Sequence, residues 1–145
     1  MKNSVNVFLL LFLSVSGNPL LAFGYLSADE VRTLFTGNTA EGELRMGKKG
    51  GLGPPNMVEN YPERFVMFFA EDGTVMRKTG ELHETGKWRV TSKGKQCIQW
   101  EGKEEKCAPV YKDGKIYREV IINKMGRIQW EMKYIGFIPG NRHDL

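Results

Sequence analysis

The sequence predicts a mainly β domain, an antiparallel barrel of about eight strands with a short N-terminal helix. Three observations carry this. First, segments alternate apolar and polar residues with a period of two. The cleanest sets Ile128, Trp130, Met132 and Tyr134 against Gln129, Glu131 and Lys133. Second, turn pairs separate the segments: Asp72-Gly73, Lys93-Gly94, Asp113-Gly114 and Met125-Gly126. Asp-Gly supplies the positive φ that a tight hairpin needs. Third, the strands are short and locally connected, which leaves an edge problem that closing the sheet removes. Such a barrel has an interior that side chains fill or that holds one small ligand. An open sandwich is the alternative arrangement of the same strands.

The elements follow in chain order. Residues 1–24 read as a cleavable signal peptide, with Lys2 before the apolar run Val7 to Leu13. Pro19 ends that run, and Ala22-Phe23-Gly24 is a small-x-small cleavage triplet. Cleavage after Ala22 is a second option. A membrane span needs roughly 20 mainly apolar residues, and Ser14, Ser16, Gly17 and Asn18 interrupt this one. Residues 25–145 form the expected single domain, periplasmic or secreted, with no stable membrane anchor after cleavage.

Ser27-Ala28-Asp29-Glu30 is a capping box flanked by Leu26 and Val31, and Gly37 is a natural stop. They bound a helix over residues 28–35 with Val31, Leu34 and Phe35 on one face. Strands are expected near 39–46, 64–70, 73–79, 86–91, 96–101, 106–112, 115–122 and 127–135. Residues 47–63 are too rich in Gly and Pro to pair and read as a long loop.

The chain carries 21 Lys and Arg against 17 Asp and Glu, a net charge of +4. The two signs alternate along most segments, which argues for a solvated mixed surface rather than a nucleic-acid-binding face. Cys97 and Cys107 are the only cysteines, and in an oxidising compartment they form a disulfide by default. His83 and His143 lack ligand spacing with them, so no metal or cofactor is expected.

Phe69-x-x-Asp72-Gly73-Thr74, Gly86-x-Trp88-x-Val90 and Cys97-Ile98-x-Trp100 together resemble small exported bacterial proteins with lipocalin-like barrels. The stretch Leu26 to Val31, with Leu34 and Gly37-Asn38-Thr39, is similar to the start of an uncharacterised periplasmic family among them. The resemblance spans most of residues 26–112 and implies a barrel fold and export. It carries over no catalytic residues. In true lipocalins the Gly-x-Trp opens the first strand, whereas Gly86-x-Trp88 falls mid-chain here.

These observations favour an exported, non-enzymatic binding protein that contacts a protein partner in the cell envelope, as an inhibitor or immunity-type module. The alternative is a small-molecule or lipid binder that uses the barrel cavity. Candidate binding residues are Lys48, Lys49 and Leu52 in the long loop, and Trp88, Trp100 and Trp130 as cavity-lining rings. Core packing is the competing reading of the rings. If the cysteines face each other across a hairpin, the register sets Ile98 opposite Lys106 and Trp100 opposite Glu104. Gly47-Lys48-Lys49-Gly50 lacks the closing Gly-Lys-Ser/Thr of a phosphate-binding loop. Glu81, His83 and Glu84 read as turn or edge decoration, and no Ser–His–Asp set can be assembled.

Overall fold

The computed structural model describes residues 24–46 and 62–145. Nearly all of the predicted signal, and Lys48, Lys49 and Leu52, lie outside them. The elements are β1 (Gly24–Tyr25), α1 (Ala28–Phe35), β2 (Asn38–Met46), β3 (Glu63–Phe69), β4 (Thr74–Thr79), β5 (Leu82–Val90), β6 (Lys95–Trp100), β7 (Lys106–Asp113), β8 (Ile116–Ile122) and β9 (Ile128–Pro139). The sheet runs β7-β6-β5-β4-β3-β2-β9-β8, and a β7–β8 pairing closes it into an eight-stranded antiparallel barrel. β1 adds to β7 through Gly24↔Lys112 and Tyr25↔Tyr111, where β7 has run past β6.

Local chemistry accounts for the elements. Ser27 Oγ accepts from Glu30 N at 3.3 Å, and Glu30 Oε2 accepts from Ser27 N at 2.8 Å, which completes the predicted capping box. The four predicted turns are present, with Gly73, Gly94, Gly114 and Gly126 at φ +84°, +77°, +62° and +74°. Two strands exceed their predicted spans by four residues. β5 starts at Leu82 because Thr79 pairs directly with Leu82 across Gly80 and Glu81. β9 continues to Pro139 because β2 pairs Glu41 with Gly136 and Gly42 with Tyr134, which leaves Ile135 as an extra, bulged residue. The bulge lets β9 bend and stay with β2. At the same place a Cβ on Gly42 would stand 2.1 Å from the Lys133 carbonyl oxygen and 2.7 Å from Phe65 Cζ, so only glycine fits.

Cys97 and Cys107 are direct register partners on β6 and β7 and form a disulfide, with Cα atoms 4.0 Å apart. Ile98 pairs with Lys106 as the register requires. Trp100 does not pair with Glu104, because β7 begins only at Lys106 and residues 101–105 form the turn. Trp100 pairs with Gly86 instead.

The barrel has two unlike ends. At one end α1 packs across the opening and buries Val31 and Phe35 completely. The Phe35 ring meets Phe69, Tyr134 and Phe137 edge-on, at centroid distances of 4.8, 5.0 and 5.1 Å. Met67, Val75 and Val110 belong to the same core and are also fully buried. The other end carries the β4–β5, β6–β7 and β8–β9 turns. Among the described residues no helix is long and apolar enough to cross a membrane.

Candidate barrel cavity

Inward-facing positions build the site because side chains alternate across each strand. Above the aromatic floor, toward the turn-bearing end, a cavity of about 370 Å³ remains. Its walls are Leu44 and Met46 from β2, Ile98 and Trp100 from β6, and Trp130 and Met132 from β9. Gln96 and Glu119 border its buried side, each about 1% exposed. Arg77, Lys103, Glu104 and Lys106 line it near the opening. The size lies within the range of small-ligand sites, as does the combination of apolar walls with a few polar groups.

The opening is held by a charged clamp. Glu84 Oε2 accepts from Arg77 Nε at 3.0 Å and Glu84 Oε1 from Lys103 Nζ at 2.6 Å. Burial opposes ionisation of Glu84, but the Lys103 and Arg77 hydrogen bonds and charges outweigh it and hold the carboxyl below its usual range. The Arg77 guanidinium lies 4.5 Å from the centroid of the Trp100 ring. This cation–π contact fixes one wall. Large apolar side chains also stand exposed on this end: Met46, Leu82, Ile122 and Met125.

The buried side carries a polar relay. Tyr134 Oη donates to Gln96 Oε1 at 3.2 Å. Burial drives the Glu119 carboxyl well above its usual range, opposed only by its hydrogen bond with Tyr134. Burial likewise raises Tyr134, with the Glu119 charge adding to it. The Tyr134 hydroxyl thus stands between Gln96 and Glu119 and couples the two buried side chains. Glu119 Oε1 and Gln96 Nε2 are buried with no hydrogen-bond partner among the described residues. Such groups are costly to leave unpaired.

This burial has a pH signature. The folded state holds the Glu119 proton to a higher pH than the unfolded chain does. Once the unfolded carboxyl ionises, stability therefore falls as pH rises toward the raised folded value. Glu119→Gln removes that limb. Chemical denaturation across pH is expected to find the variant more stable than wild type at about pH 8 and equal to it near about pH 4. Parallel curves would mean that Glu119 is ionised in the fold.

The structure brings together two of the predicted binding residues, Trp100 and Trp130, on the cavity wall. Trp88 is not with them. It belongs to the floor, with Nε1 donating to the Ala70 carbonyl at 2.9 Å and its ring edge-on to Phe69 at 5.3 Å. Sequence reasoning missed Glu119, Gln96 and Arg77. A signal for Glu119 exists: it shares strand parity with Tyr117 and Ile121, and the register across the β7–β8 turn sets it opposite the fully buried Val110. Comparison with protein-family models, curated proteins and solved structures finds no match to this chain.

Proposed function

We propose that the protein is an exported, non-enzymatic binding protein whose barrel takes up a small, mainly apolar molecule through the turn-bearing end. The single observation that carries this reading is the cavity of about 370 Å³ with Leu44, Ile98, Trp130 and Met132 on its walls. A barrel serving only as a scaffold would fill that volume, since interiors pack to crystal-like density. The Cys97–Cys107 disulfide suits an oxidising compartment, and with residues 1–24 read as a signal it supports a periplasmic or secreted location. Glu84, from the Glu81, His83 and Glu84 set, is committed to Arg77 and Lys103, which supports a binding role over a hydrolytic one.

The test uses N-phenyl-1-naphthylamine, a neutral apolar probe, with Trp100 and Trp130 as reporters in the wall. Saturable binding is expected, with quenching of tryptophan emission. Leu44→Trp, which adds bulk inside the cavity, is expected to weaken binding by roughly tenfold or more while the protein still melts cooperatively. Absence of saturable binding by the wild type would defeat the reading.

One observation favours the second reading, an inhibitor or immunity-type module for a protein partner. Met46, Leu82, Ile122 and Met125 present exposed apolar surface on the same end, the kind of surface that marks interaction sites when it is contiguous.

A further inference from the structure

The geometry points to a ligand with an uncharged head that both donates and accepts a hydrogen bond, of carboxamide type, seated against Glu119 and Gln96 with its apolar body extending toward the opening. This inference rests on the cavity reading above and specifies the ligand class. It starts from two side chains that are each about 1% exposed and border the same cavity. Among the described residues, Gln96 Nε2 is a buried donor without a partner and Glu119 Oε1 a buried oxygen without one. They stand on inward positions of β6 and β8, on either side of β7, and are linked through Tyr134 from β9. A carboxamide answers both at once: its carbonyl accepts from Gln96 Nε2 and its N–H donates to Glu119 Oε1.

Charged heads fit less well. An ammonium would need Glu119 ionised. The Tyr134 proton would then turn to the carboxylate, and the Gln96 Oε1 that it now serves at 3.2 Å would lose its donor. The groups facing this space from other strands are also mainly basic: Arg77 from β4, Lys103 from the β6–β7 turn and Lys106 from β7, against Glu104. A carboxylate at the same depth could draw on Arg77 only by competing with Glu84 and with the Trp100 ring, which already engage it. The apolar body is accommodated by the walls between the relay and the opening, where Trp100, Trp130 and Ile98 stand.

The experiment compares four probes on one alkyl body: octanamide, methyl octanoate, octylammonium and octanoate. Affinities are measured by calorimetry on the full folded protein at neutral pH. Octanamide is expected to bind roughly 10- to 100-fold tighter than methyl octanoate, which accepts but cannot donate, and tighter than either ion. Glu119→Leu and Gln96→Leu are each expected to abolish the preference for octanamide over methyl octanoate. Should either variant fail to fold, the wild-type ranking decides alone, together with the shift of the Gln96 side-chain amide resonances on adding octanamide. Equal affinities across the series, or a preference for either ion, would overturn this inference and leave the cavity reading standing. Failure of all four probes and of the naphthylamine would remove both.

Discussion

Phe35→Ala is expected to lower the unfolding free energy by about 3–5 kcal/mol, the usual cost of truncating a fully buried aromatic ring. Denaturant melts followed by far-UV circular dichroism would measure it. Three contacts set the expectation at this level, since Phe35 meets Phe69, Tyr134 and Phe137 edge-on and nothing from solvent reaches it. An eight-residue helix has little stability of its own, so α1 stays across the barrel end through this packing and its capping box. The loss is a large part of the roughly 5–15 kcal/mol that holds a typical domain folded. Leu34→Ala, on the same helix but only partly buried, is expected to cost clearly less. Equal effects at the two positions would mean that the helix is not anchored by its aromatic side chain.

Removing the disulfide is the second large effect. Cys97 and Cys107 are separated by ten positions in sequence. Closing a loop of that length restricts the unfolded chain by about 2.5–3 kcal/mol on the chain-entropy account. A Cys97→Ala, Cys107→Ala double variant is expected to lose about that much, read as a lower denaturant midpoint. The wild type melted in reductant should approach the same value. Gln96 and Ile98, which flank Cys97, line the cavity, so the disulfide lies on the outward side of the sheet. The variant is therefore expected to keep naphthylamine binding under conditions where it remains folded. A midpoint unchanged by reductant would mean that the two sulfurs are not linked in solution.

Much of the fold was legible because its signals are local. The capping box needs four consecutive residues, and the hairpins at Asp72-Gly73 and Asp113-Gly114 need two each. Where local signals conflict, the reading stops short. Glu81, His83 and Glu84 read as turn or edge decoration, yet Leu82 to Glu84 pair with β4 across a two-residue turn at Gly80 and Glu81. Gly136 and Pro139 look like the end of a strand, yet the bulge at Ile135 carries β9 past them along β2.

The site was far less legible than the strands. Whether a barrel interior is filled depends on which inward side chains meet at one height, and that is set by registers between strands distant in sequence. Three tryptophans of similar local character have different fates for this reason. Trp88 sinks into the floor beside Phe69, while Trp100 and Trp130 face open volume. Glu119 gives no compositional hint of burial, because a single Glu in a mixed-charge chain is ordinary. Only counting parity from Val110 across the turn exposes it.

The helix sealed across one end makes this barrel a cup rather than a conduit. Under the proposed binding role, α1 closes one end of the barrel, so a guest would enter and leave on the side of the opposite turns. A second molecule could then not push the first out from behind, and exchange would proceed one occupant at a time. The residence time of a guest would then be governed at the rim, and changes at Met46, Trp100 or Lys103 should alter arrival and departure rates together.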